Sequence, residues 1–154
     1  MRSSVIRLRD ASAGEAKALE GLQRRASDVW EEYREQLAAN PDAIELPENF
    51  IEQSFVRVAA ADDGTPVGFT VVIPTDDRVH ELDGLFVEPD YMRGGVGRAL
   101  VQDAVTRAAR AGAELLEVTA GPAQGFYEKV GFQVVGAAET RFGSAVRMRR
   151  ALRG

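Results

Sequence analysis

The period of apolar and polar positions changes several times along the chain, and each change marks an element. Ile6 and Leu8 alternate with Val5, Arg7 and Arg9, which is the two-residue period of a strand. From Leu19 the apolar residues fall at Leu22, Ala26, Val29, Tyr33 and Leu37, the spacing of one helical face. Ser12 with Glu15 predicts a capping box at its start, "NPD" ends it, and Gly21 is where it would kink or split. Pro47 suits the first turn of a short helix over "PENFIEQ". The period then returns to two. "SFVRVAAA" and "VGFTVVI" read as strands joined by the turn "DDGTP", a hairpin. "HELDGLFV" is a fourth strand, with Glu81, Asp83, Leu85 and Val87 on one face and His80, Leu82, Gly84 and Phe86 on the other. Val96, Leu100, Val101, Ala104, Val105 and Ala108 make a second long helical stripe, stopped by Gly112. "AELLEVTAG" is a fifth strand and "PAQGFYEKVG" a short helix that Gly131 ends. "FQVVGAAE" and "SAVRMRRAL" are two closing strands joined by "TRFG".

This order predicts an α/β domain of the α+β type. One βαβ crossover joins strands four and five in a largely antiparallel setting. A chain of 154 residues is expected to form a single domain over 1–154 with a core that needs no staples.

Composition narrows the chemistry. The absence of cysteine excludes disulfides, thiolate metal sites and a covalent acyl-cysteine, and the single histidine, His80, argues against a histidine-based metal site. The expectation is no metal. No apolar run reaches the roughly 18 residues of a membrane span and the N-terminus has no signal-peptide pattern, so no membrane is expected and the predicted location is cytoplasmic. Arginine outnumbers lysine 17 to 2, which fits a GC-rich bacterial genome. The net charge of −5 argues against a nucleic-acid partner. The charge is uneven. Residues 10–52 hold 11 acidic and 4 basic residues, whereas the remainder holds 13 and 15. That suits a cationic partner on one side and a phosphate-bearing one on the other.

The densest signal is "YMRGGVGRAL" at 91–100, three glycines in four positions ahead of a helix. Amides at a helix start bind anions, and glycines let a phosphate approach the backbone closely. A P-loop needs a lysine that is missing here. A dinucleotide fingerprint needs a third glycine where Leu100 stands, and "EPDYMR" separates the strand from the loop. The third reading is the diphosphate of coenzyme A.

That reading gains from a resemblance. "LFVEPDYMRGGVGRALV" resembles the acyl-CoA motif of the GNAT N-acetyltransferase superfamily, with Pro89, Gly95 and Gly97 at its proline and glycines and Met92 departing from its Q/R position. "FYEKVGF" at 126–132 resembles the family's second signature, about 30 residues on. The family often has an asparagine at the end of strand five, where this chain has Ala120 or Gly121. The resemblance implies the GNAT acyl-CoA N-acyltransferase fold, a mixed sheet of about seven strands with about four helices. It implies transfer of acetyl from acetyl-CoA to a primary amine of a small molecule or protein by direct attack; a non-catalytic acyl-CoA-binding regulator of the same fold is the alternative. It implies that Leu85, Phe86 and Val87 hold the pantetheine arm and carbonyl, and that Met92, Arg93, Gly94, Gly95, Val96, Gly97 and Arg98 hold the diphosphate. Tyr127 matches the acid that protonates the leaving thiolate and also touches the cofactor, and Glu81 matches the general base, with Asp83 on the same face as second candidate. Dimers are common in the family, so a homodimer is among the expectations.

Overall fold

The computed structural model describes residues 6–152. Its elements are β1 (Arg7–Asp10), α1 (Ala16–Ser27), α2 (Glu31–Ala39), α3 (Glu48–Glu52), β2 (Val56–Ala60), β3 (Pro66–Pro74), β4 (Val79–Val87), α4 (Val96–Arg110), β5 (Leu115–Ala120), α5 (Gln124–Lys129), β6 (Gln133–Thr140) and β7 (Gly143–Ala151). Short 3₁₀ turns occupy Pro41–Ala43 and Pro89–Tyr91. The strands form one seven-stranded mixed sheet in the order β1-β2-β3-β4-β5-β7-β6. Strands β4 and β5 run parallel, and the intervening α4 is the expected crossover. The last two strands close the chain as an antiparallel hairpin, with β7 rather than β6 against β5.

The N-terminal helical stripe is two helices, and the break is not at Gly21, which lies inside α1. It falls at residues 28–30, where Trp30 takes extended dihedrals and caps α2. Val29, expected on the buried stripe, is 43% exposed because it lies in the turn between the helices, and the stripe returns to the core at Leu37, 4% exposed on α2. The capping box is half formed. Glu15 reaches back to the Ser12 amide at 2.8 Å, but it does so as the residue before α1, with its carboxylate also forked by Arg9 at 2.9 and 2.8 Å. Pro47 precedes α3 rather than opening it. The expected start of β1 at Val5 lies outside the described residues.

The chain divides into two compact units. Among the described residues, those up to 71 and 84–100 form the first, and 72–83 with those from 101 onward the second. In the first unit Ala59, Val67, Val96 and Leu100 pack together, with Ile6, Leu8, Leu85, Val87 and Tyr91 against them. The start of α4 comes very close to β3 here. A Cβ on Gly68 would lie 3.0 Å from Leu100 Cδ1, 3.1 Å from Val96 Cγ1 and 3.1 Å from the Phe86 carbonyl, so residue 68 must be small. In the second unit Leu116, Val118, Ala104, Ala108, Phe132 and Met148 are buried. Leu116 and Val118 alternate along β5 with Glu117 and Thr119, as a strand with one core face requires.

Candidate active site

In the first unit the site is a stretch of backbone. Apolar Leu85 and Val87 anchor the end of β4 in the core, and Phe86 points the other way onto Phe69, ring centroids 5.3 Å apart. Gly84 makes room for that ring, since a Cβ there would meet Phe86 Cε2 at 2.8 Å. The Glu88 amide then bonds the Val67 carbonyl at 2.8 Å, and Pro89–Tyr91 turn the chain. Arg25, in the last turn of α1, clasps the Glu88 carboxylate with Nε and Nη2.

The loop that follows turns on two left-handed residues, Arg93 at φ 70° and Gly95 at φ 88°. Glycine suits this region and arginine pays a steric penalty in it. The first helical bond of α4 runs from the Ala99 amide to the Gly95 carbonyl at 3.0 Å. The amides of Gly95, Val96, Gly97 and Arg98 precede it and have no carbonyl within the helix to meet. No acidic residue sits in the first turn of α4 to compete for them. Arg93, Gly94, Gly95 and Arg98 are exposed, whereas Val96 is buried and holds the helix start in the core. Met92 is extended and partly covered. A helix start with open amides, glycine access and cationic neighbours is a site for an anionic group. A cavity of about 700 Å³ elsewhere in the unit is lined by Asp62, Asp63, Glu88 and Asp90 together with Arg25, a carboxylate-rich wall unsuited to an anion.

In the second unit the site is made of side chains. The register sets Glu81 on β4 opposite Glu117 on β5, and Glu117 opposite Arg149 on β7. Two facing carboxylates repel, and β7 answers with two arginines on the same face. Arg147 forks Glu81, Nη1 to Oε2 and Nη2 to Oε1 at 3.0 Å each, and also reaches Glu117 at 2.9 Å and the Thr119 hydroxyl. Arg149 holds the other oxygen of Glu117 at 2.9 and 3.0 Å. Desolvation pushes the Glu117 carboxyl up, but the bonds from Arg149 and Arg147 outweigh it and its net direction is down. The bonds that Arg147 donates to Glu81 hold its guanidinium above the usual range.

Asp83 is two residues along the same face of β4. It keeps exposed surface, yet the surrounding protein desolvates it enough to raise its carboxyl, and the Glu81 charge adds to that. His80, on the buried face, is held down by desolvation, with Asp76 opposing. Tyr127 is 7% exposed on α5, with its ring edge-on to Phe126 at 5.3 Å and to Phe132 at 5.5 Å. Strand β5 ends at buried Ala120.

Of the residues expected from the sequence, Leu85 to Val87 and Met92 to Arg98 are two segments of the first unit, separated by the Pro89–Tyr91 turn. Glu81, Asp83 and Tyr127 belong to the second. Sequence reasoning missed Arg147, Arg149 and the role of Glu117. The alternation of Arg147 and Arg149 across Met148 was the available signal.

The Acetyltransferase (GNAT) family model matches residues 18–132. The chain is similar to the peptidyl-lysine N-acetyltransferase YjaB of Salmonella typhimurium, 30% identical over 135 residues that cover 88% of each chain. The Escherichia coli protein of the same name is 31% identical over 140 residues, covering 88% of this chain and 87% of its own length. In fold it is similar to the PaiA N-acetyltransferase of Thermoplasma acidophilum in complex with coenzyme A. The TM-score is 0.78 at 23% identity, covering 96% of this chain and 99% of that one.

Proposed function

Since this chain belongs to the GNAT family and is an acetyltransferase that moves acetyl to an amine, we propose that it transfers acetyl from acetyl-CoA to the side-chain amine of a peptidyl lysine. The observation that carries the cofactor half is the run of open amides from Gly95 to Arg98 behind the left-handed Gly95. It supports a diphosphate held mainly by backbone, with Arg93 and Arg98 adding charge, and the edge of Leu85, Phe86 and Val87 holding the pantetheine arm. The lysine half is supported by the two relatives named for that reaction. Cytoplasmic location, a homodimer and a single domain belong to the same reading.

Direct attack suits a chain without cysteine. The lysine nitrogen, as the neutral amine, adds to the thioester carbon. The amide C–N bond forms, the C–S bond breaks, and the thiolate leaves. An alkylammonium has a pKa near 10.4, so a proton must be removed before attack. Glu81 was the first expectation for this, but both its oxygens are held by Arg147. Asp83 carries a raised carboxyl beside it, and we assign it the proton. Tyr127 is assigned to protonate the thiolate, because a phenol with a pKa near 10 is a sensible donor to it, and its phenolate then takes the second proton that the nitrogen sheds as the amide forms.

The test is thiol release from acetyl-CoA on a panel holding lysine peptides and small amines. The reading expects turnover with lysine peptides, and release with small amines alone would end it. Tyr127→Phe should lower kcat by about 100-fold with acetyl-CoA affinity nearly intact, and an unchanged rate would remove Tyr127 as the acid.

A further inference from the structure

The parallel pairing of β4 with β5 ends at Glu81 and Glu117, although β4 runs on to Val87 and β5 to Ala120. Asp83 is therefore the first residue on the Glu81 face beyond the last paired rung. Thr119 holds the same place on β5, two residues past Glu117, and the register sets it opposite Arg147 on β7. The Arg147 guanidinium spans this boundary. It forks Glu81 and reaches Glu117 on the last rung, and it bonds the Thr119 hydroxyl beyond it.

The charges on the face that Asp83 shares are Glu81 on its own strand, Glu117 on β5, and Arg147 and Arg149 on β7. Strand β3, the other neighbour of β4 in the sheet, carries no ionisable side chain. With both arginines in place the four charges of the row sum to zero. Glu81 is the member that acts on the Asp83 carboxyl, adding to the push from desolvation. A carboxylate gripped at both oxygens by a guanidinium presents far less charge to a neighbour than a bare one. Only 20% of the Glu81 side chain and 30% of the Arg147 side chain are exposed, so solvent and salt are poor substitutes for that grip. Arg149 bonds the other carboxylate, Glu117.

We propose that Arg147 is a positioning residue for the proton step: by forking Glu81 it shields Asp83 from that carboxylate, and so sets the pH at which Asp83 can take the proton of the acceptor amine. This rests on the assignment of Asp83 above. Arg147 needs no contact with Asp83, because it acts through Glu81. Without the arginine, a bare Glu81 disfavours a second negative charge beside it, and Asp83 keeps its proton to higher pH. Without Glu81 the opposite holds.

The experiment is the pH dependence of kcat at saturating acetyl-CoA and lysine peptide, read by thiol release. The acid limb should move up by about half a pH unit or more in Arg147→Met and down by a similar amount in Glu81→Gln. Arg147→Lys, which keeps the charge, should hold the limb within about 0.2 unit of wild type. Arg149→Gln removes an equal charge from the other carboxylate and should move the limb less than Arg147→Met. Opposite shifts from two variants that break the same ion pair are not what a purely structural pair produces, since lost packing lowers the rate without choosing a sign. An unmoved limb in Arg147→Met, or shifts of one sign in Arg147→Met and Glu81→Gln, overturns the shielding. Should Arg147→Met fail to fold, Glu81→Gln decides alone, and a limb that stays in place there overturns it equally. If Asp83→Asn keeps the acid limb, the assignment of Asp83 falls and the shielding with it. If Asp83→Asn loses the limb and neither partner variant moves it, the shielding falls alone.

Discussion

The glycine loop at 92–98 and the charged row of Glu81, Glu117, Arg147 and Arg149 are opposite solutions to handling charge. In the loop the backbone supplies the field. Amides at the start of α4 are left open by the geometry of Arg93 and Gly95, and side chains contribute at the margin. In the row the backbone supplies only the register, and four side chains from three strands neutralise one another. The loop is set to receive charge from outside, whereas the row is satisfied within itself. Asp83, which faces the same way as Glu81 but stands outside the fork, has its carboxyl raised by desolvation, whereas the arginines hold Glu117 down.

Breaking the loop should have the largest effect. Gly95→Val forces a β-branched residue into the left-handed region, where strain alone costs about 1–3 kcal/mol, and adds bulk where the proposed diphosphate would approach. Acetyl-CoA binding by calorimetry should fall at least about 100-fold while circular dichroism still reports a folded chain. Retained binding would mean that the amides are not the grip. Next comes Asp83→Asn, expected to lower kcat by about 100-fold at neutral pH. Because the Asp83 carboxyl is raised, the wild-type rate should decline on the acid side at a pH above the ordinary carboxylate value near 3.9, and the variant should lose that limb. If wild type and variant share one pH profile, water takes the proton instead.

Breaking the row should act on stability first. Arg147→Met leaves Glu81 and Glu117 face to face without their shared cation, a loss of about 1–3 kcal/mol by urea denaturation. Glu117 adds a pH dependence to this. Its carboxyl is held below its unfolded value, so its contribution is complete above the unfolded pKa and is lost as pH falls through the folded one. Wild type should therefore lose part of its advantage over the variant in acid. The smallest effect belongs to Met92→Ala. A loop that works through amides should tolerate it with less than about a threefold change in acetyl-CoA Kd, and a larger loss would give the side chain a part that the backbone account denies it.

The same contrast explains what could be read from the chain directly. The loop is local, because glycines at 94, 95 and 97 next to a helical stripe encode it in seven residues. All seven strands were legible for a similar reason, since each is a short alternating or apolar run bounded by turn residues. The row depends on pairings 30 to 66 residues apart in the sequence, and which glutamate meets which arginine follows from the exchange of β6 and β7 in the sheet order. No periodicity encodes that exchange. The helix break at 28–30 was missed because propensity pointed to Gly21, whereas the turn is made by ordinary residues whose backbone bonds to Ser27 and Trp30 decide it.

Arg93 has a consequence for anyone who wants a sturdier protein. At φ 70° it occupies a conformation that glycine adopts freely, so Arg93→Gly relieves strain at the mouth of the loop and simultaneously strips a guanidinium from its rim. A search for heat-resistant variants of this chain, scored on unfolding alone, would be drawn to that position. The clones it recovered would be tougher and would hold their anion with one cation fewer.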